Sequence, residues 1–309
     1  MTRIGASDLD VFPLVLGGNV FGWTADRGAS FAILDAFVAG GGNLVDTAEG
    51  YSAWVNDGYE SERIIGEWIA ARKPSAVKVA TKTGGHRDHR NLRPERVAAA
   101  ADASLDRLGV EAIDLYWAHY DDPEVPVAEQ VGAFGALVQA GKVRWLGLSN
   151  YTPARLREWV EEARRQGAPV PVAFQPHYNL VHRAVEADVV PLAAEFGISL
   201  LPYYALAAGF LTGKYRSERD LPETPRAANA GRYATPQGFA IVDALEEIGR
   251  AHGASIAAVA LAWLRAQPTV AAPIASASRA EQVPDLLASA TITLTPAELA
   301  ELDTISKRS

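Results

Sequence analysis

The 309-residue chain contains no cysteine, which excludes disulfides, thiolate nucleophiles and cysteine-ligated zinc. It has no apolar run near the roughly 18 residues that a membrane span needs. Its first ten residues also lack the basic start and apolar stretch of a secretory leader. A cytoplasmic protein is expected. Positive charge is short as well. The formal net charge is −8, which argues against nucleic acid or an anionic membrane as partner. Neither a GxGxxG nor a phosphate-binding P-loop is present, so the dinucleotide fingerprint of doubly wound sheets is missing. His86 and His89 have HxxH spacing in "GGHRDHR", but they stand among Arg and Asp in an expected loop, and no metal site is expected there.

What the chain does have is a steady alternation of short β-branched runs with helical patterns, the mark of parallel βαβ units. Strands are expected at 14–16, 43–46, 77–82, 113–117, 143–148, 172–175, 199–202 and 270–274. Between them lie helices such as 94–108, where Val97, Ala101, Leu105 and Leu108 recur at helical spacing, Pro94 suits the first turn and Gly109 the stop. Residues 30–39, closed by Gly40, Gly41 and Gly42, repeat that design. Eight strands with intervening helices predict a (β/α)8 TIM barrel over a single domain, 1–309. Two segments depart from the repeat. Residues 3–12 read as a β-hairpin before the first barrel strand. Residues 213–231, rich in Pro, Arg and Glu, read as a long lid loop on the carboxyl-terminal face.

In a TIM barrel the chemistry gathers at the carboxyl ends of the strands. Asp46, Lys82, His119, Ser149, Asn150 and Gln175 all fall there. A cation at the inner end of a buried strand is costly unless a carboxylate pairs with it, and Asp46 is the natural partner of Lys82. On residue type alone the pair reads equally as a structural ion pair or as part of a site. A nucleophilic Lys82 forming a Schiff base is a further reading, opposed by the carboxylate that keeps it protonated. Tyr51, five residues past Asp46 in "DTAEGYS", adds a phenol to the same strand end.

The stretches "DTAEGYS", "SERIIGEW", "TKTGG", "LYWAHYDDP", "AGKVRWLGLSN", "FQPHYNL", "YYALAAGFLTGKY" and "ASASRAEQ" occur in order along nearly the whole chain, which thereby resembles the aldo-keto reductase family. The resemblance implies a catalytic tetrad of Asp46, Tyr51, Lys82 and His119. Tyr51 is then the proton donor, its pKa lowered by the Lys82 ammonium, and neutral His119 orients a substrate carbonyl. It implies NADP(H) as cofactor, held by Ser149, Asn150 and Gln175 at the carboxamide and by Tyr203 stacked on the nicotinamide. Leu206, Ala208 and Lys214 take the pyrophosphate, with Tyr204-Ala205 where the family usually shows Ser-Pro. Ser276, Ser278, Arg279, Gln282 and Asp285 take the adenosine side. Ser276 replaces a usual Gly, Leu286 replaces a frequent Asn, and Arg279 is either a 2′-phosphate ligand or an exposed residue opening a helix. Phe21, Trp23, Trp54 and Tyr120 are expected to wall a pocket for a small carbonyl compound. Proteins resembling potassium-channel β subunits share the tetrad, so a cofactor-bound sensor is the competing reading. The absence of an added N-terminal segment counts against it.

Overall fold

Alternation of apolar runs and helices resolves, in a computed structural model that describes residues 1–220 and 225–307, into one parallel sheet with helices outside it. A two-residue antiparallel pair, β1 (Thr2–Arg3) and β2 (Asp10–Val11), precedes it. The sheet comprises β3 (Val15–Gly17), β4 (Leu44–Asp46), β5 (Lys78–Thr83), β6 (Ile113–Ala118), β7 (Val143–Ser149), β8 (Ala173–Gln175), β9 (Ser199–Leu200) and β10 (Ile274–Ala275). The spatial order is β10-β3-β4-β5-β6-β7-β8-β9, every neighbour parallel. Chain order and spatial order therefore agree apart from the wrap of β10 onto β3, as a (β/α)8 barrel requires.

The expected strand at 270–274 is shifted, and the reason is barrel closure. Leu200 N donates to Thr269 O (2.8 Å), Ala271 N to Leu200 O (3.0 Å) and Ile274 N to Pro202 O (2.9 Å). Val15 N donates across the other seam to Pro273 O (2.9 Å). The stretch shares its backbone groups between two neighbours, so only Ile274–Ala275 runs as a regular strand. The helix Pro94–Leu108 has the expected bounds: Pro94 stands at its start, Gly109 caps it in the left-handed region (φ 64°), and Val97, Ala100, Ala101, Ser104 and Leu108 are its buried face.

The hairpin plugs the amino-terminal end of the barrel. Ile4, Leu9 and Val11 pack with Val15, Leu44, Ala80, Leu115, Trp117 and Leu201 in one apolar cluster. Gly5 (φ +48°) comes so close to the barrel floor that a Cβ there would lie 2.3 Å from Val172 O, and Asp8 accepts a bond from Trp145 Nε1 (2.8 Å). Only the opposite end is left open. Of the expected lid, 213–231, residues 221–224 lie outside the described residues, and the rest is more regular than a loop. Helix Pro225–Gly231 packs on the irregular turn Ala207–Thr212, and a short 3-10 turn, Glu218–Asp220, precedes the undescribed residues.

The barrel interior is filled by large residues opposite small ones. A Cβ added to Gly147 would lie 2.3 Å from the Trp117 ring, which is wholly buried. Gly147→Ala is therefore expected to lower unfolding free energy by about 1–3 kcal/mol, the usual cost of overpacking a rigid core. Urea denaturation checks this, and a wild-type midpoint would show that Trp117 has room to move.

Candidate active site

Strand ends β4 to β8 bring their polar residues to the open face. Lys82, at the end of β5, is fully buried, as is Asp46 at the end of β4. The Lys82 Nζ donates to Asp46 Oδ2, to Thr47 O (2.7 Å) and to Tyr51 Oη (2.9 Å). The ammonium, with three protons, can donate to all three at once, and the Asp46 carboxylate favours that charged form. Asp46 Oδ1 accepts from Gln175 Nε2 (3.2 Å). Burial pushes the Asp46 carboxyl up and the Lys82 ammonium down in pKa, each offset by the other's charge.

Two buried glutamates brace the strand that carries Lys82. Glu62 accepts from Thr81 Oγ1 (2.5 Å) and Arg107 Nε (2.6 Å). Glu49, inside "DTAEGYS", accepts from Thr83 Oγ1 and Gly84 N (both 3.0 Å) and from Arg96 Nη2 (2.6 Å). Sequence reasoning passed over Glu49. Its signal was a carboxylate between Asp46 and Tyr51 in a segment otherwise apolar and small.

The Tyr51 and His119 rings meet edge to face, centroids 6.1 Å apart. His119 is pressed on Gly85, where a Cβ would lie 2.1 Å from Nδ1, and that nitrogen is buried with no hydrogen-bond partner. Desolvation, then Lys82 and Arg90, hold the imidazole pKa well below its ordinary value, so the ring is neutral at pH 7. For Tyr51 the expected direction is corrected. Burial, with the Asp46 charge adding to it, pushes the phenol above its ordinary value instead of below it. Loss of water around the phenolate outweighs the neighbouring cation, and the phenol holds its proton.

Above these groups lies a cavity of about 1020 Å³. All twelve residues expected at a cofactor line it, from Ser149, Asn150, Gln175 and Tyr203 to Leu206, Ala208 and Lys214, and on to Ser276, Ser278, Arg279, Gln282 and Asp285. Tyr203 Oη donates to Asn150 Oδ1 and Asn150 Nδ2 to Ser149 Oγ, both at 2.9 Å. Ser276 does not block the cavity with its extra atoms: Oγ turns to Asn19 Oδ1 (2.5 Å) beside Gly17. Gln282 Oε1 accepts from Ser278 N (2.8 Å) and Arg279 N (3.3 Å), tying down that turn. Arg216 pairs with Asp243 and Glu246 and is spent on the helix behind. The Arg226 side chain lies outside the described residues.

Trp23, Trp54 and Tyr120 line the cavity mouth, with Trp23 and Trp54 edge to face at 5.3 Å. Phe21 does not. Its ring is fully buried in the main core cluster and stands outside the lining, because the core offers an apolar ring more contact than a wet rim. Arg87 and Arg90 line the mouth instead, unforeseen. They come from "GGHRDHR", the stretch with the HxxH spacing. His86 stacks with Tyr59 (4.7 Å) and His89 (5.3 Å), and its Nε2 bonds to Asp57 O.

A dinucleotide fits these observations. Tyr204, Ala207 and Ala208 hold positive φ of 52°, 50° and 56°, a local strain of about 1–3 kcal/mol each that persists where surrounding structure or a ligand demands it. Lys214 Nζ lies 3.1 Å from the Cβ position of Gly209 in that turn, and neither Lys214 nor Arg279 has a carboxylate partner among the described residues.

Comparison with known proteins agrees with the geometry. The model of the "Aldo/keto reductase family" matches residues 13–307. Norsolorinic acid reductase B of Aspergillus parasiticus is 30% identical, over 95% of this chain and 80% of its own. Aldo-keto reductase ausK of Aspergillus calidoustus is 33% identical over 96% and 78%. Aldo-keto reductase str7 of Strobilurus tenacellus is 30% identical over 100% and 90%.

The buried pair yields a stability test. Asp46→Asn and Lys82→Met should each cost about 3–5 kcal/mol, since each strands one charge in the interior. The double variant should cost clearly less than the two together. Additive losses in urea titrations would mean that the groups do not depend on each other.

Proposed function

The chain belongs to the aldo/keto reductase family of oxidoreductases, and we propose that it is an NADP(H)-dependent enzyme, a single catalytic domain, that reduces an aldehyde or ketone to the alcohol with Tyr51 as proton donor. The observation that carries this reading is the bond from Lys82 Nζ to Tyr51 Oη at 2.9 Å, beside a neutral histidine on the floor of a cavity of about 1020 Å³ lined by all twelve residues expected at a dinucleotide. The nicotinamide, when bound, supplies the hydride.

The chain's own residues supply the rest. Tyr51 Oη accepts from the ammonium, so its O–H is free to donate to a carbonyl oxygen above it. As that proton leaves, the phenolate forms against the Lys82 charge, which Asp46 and Thr47 O hold in place. The rise in the phenol's pKa keeps it protonated at neutral pH, and the ammonium then limits the cost of giving the proton up. For His119, a buried and unpartnered Nδ1 favours the tautomer with its proton on Nε2, which can donate to the same substrate oxygen and aim it at Tyr51. Ser149, Asn150 and Gln175 are suited to a carboxamide, which both donates and accepts, and Tyr203 offers a flat ring to the nicotinamide. The strained turn at 207–209 with Lys214 suits the pyrophosphate. A Schiff-base role for Lys82 is disfavoured, because its nitrogen is buried with every proton engaged.

Tyr51→Phe should lower kcat by about 10²–10⁴-fold while NADPH still binds, as expected when a general acid is lost and the cavity is kept. Stopped-flow turnover with a small aldehyde, set beside cofactor titration, measures both. Near-normal turnover would remove Tyr51 from this role.

Cofactor choice rests on Arg279. An exposed guanidinium on a 2′-phosphate is worth about 1.5 kcal/mol, the low end for charge-assisted bonds, hence about 10-fold tighter NADPH than NADH. Arg279→Ala should erase most of that gap and leave NADH binding nearly unaltered. A preference that survives the substitution would return Arg279 to its part in opening a helix.

A further inference from the structure

The cavity mouth carries two arginines that make no bond to the proton relay or to the expected cofactor positions. Arg90 lies over the Tyr120 ring, 5.2 Å from its centroid, and Tyr120 stacks on His119 at 4.7 Å. A guanidinium is thus built into the aromatic stack that ends at the candidate catalytic histidine. None of the Arg90 donors is spent on the described residues, so its planar fork remains available to a ligand. Arg87 lines the same mouth, with only the adjacent and largely exposed Asp88 near it, 3.5 Å away.

Apart from Asp88 beside Arg87, the nearby carboxylates are committed elsewhere. Of the acids lining the cavity, Asp46 is consumed by Lys82, and Asp285 stands with Ser278 and Gln282 at the far end. Asp121 and Asp122, next in sequence to Tyr120, are engaged by Arg155 and by the Leu92 and Glu124 backbone N–H groups. In a chain of net charge −8, a cavity mouth with two arginines against one carboxylate, Asp88, among the described residues is a local reversal of sign, of the kind that draws in an anion.

We infer that the substrate is an aromatic or otherwise flat carbonyl compound bearing an anionic group, whose ring lies among Trp23, Trp54 and Tyr120 and whose charge meets Arg90, with Arg87 in support. This rests on the reductase reading and specifies its substrate class. The carbonyl stays at Tyr51 and His119, while the anion, separated from it by about the width of an aromatic ring, fixes the orientation. Recognition of this kind acts through KM more than kcat, because the charge is bound in ground state and transition state alike.

The test compares 4-formylbenzoate with its methyl ester, two aldehydes that differ at the distal charge, using wild-type protein and NADPH. The formylbenzoate should be favoured in kcat/KM, by between the few-fold of an exposed ion pair and the roughly 10-fold or more of a charge-assisted bond. The advantage should lie in KM and shrink with added salt. In Arg90→Gln the ratio between the two substrates should fall toward one, Arg87→Gln should lower it less, and Arg90→Lys should restore part of it. Equal use of both aldehydes by wild type, or a ratio that survives in the Arg87→Gln/Arg90→Gln double variant, overturns the inference and leaves the reductase reading standing. Loss of NADPH affinity in Arg90→Gln, with the ratio intact, overturns it by giving the arginine to the cofactor. If wild type reduces neither aldehyde at any concentration, the reductase reading fails for this class of compound, and the inference goes with it.

Discussion

The Asp46–Lys82 pair is the constraint on which the rest of the open face depends. Burying either charge alone would cost several kcal/mol, so each is tolerable only with the other in place. That requirement fixes the ends of β4 and β5 relative to one another and holds Tyr51 Oη over the ammonium. The surroundings are built to the same tolerance. Thr81 and Thr83, on either side of Lys82, are each held by a buried glutamate that is itself matched to an arginine. A lysine at a strand end could swing through several rotamers; here the anchored backbone and three acceptors leave it one.

Close approach does the same work elsewhere. Gly85 lets His119 settle with Nδ1 against the backbone, and Gly147 admits the Trp117 ring to the barrel interior. The hairpin seals the amino-terminal end with Ile4, Leu9 and Val11, so the interior is packed with apolar side chains below the ion pair and open above it. Desolvation from below explains the direction of the shifts: the histidine is held neutral and the phenol is held protonated, both against the ion that water would otherwise stabilise. At the far side of the cavity, strain is concentrated in Tyr204, Ala207 and Ala208, where left-handed backbone is forced on residues with a Cβ. Asn179 steadies that turn by donating to Tyr204 O at 2.8 Å.

The sequence by itself determined the architecture and which polar residues stand at the open end of the barrel. The alternation of short apolar runs with helical periods is a local pattern, and a strand buried on both faces or a helix with Pro94 at its start and Gly109 at its end is written in neighbouring residues. Asp46, Lys82, His119, Ser149, Asn150 and Gln175 could be placed on one face because strand polarity in a parallel barrel puts every carboxyl end on the same side. The tertiary structure decided what depends on distance and on water. Phe21 went to the core and Arg87 and Arg90 to the cavity, because the course of a loop across the barrel mouth is not a periodic property. The last strand shortened to Ile274–Ala275, since residues 269–274 divide their hydrogen bonds between two seams that only closure brings together. The sign of the Tyr51 shift followed the same rule: the ammonium beside it was legible from the strand ends, but the loss of solvent that outweighs that ammonium is a sum over residues from the whole fold.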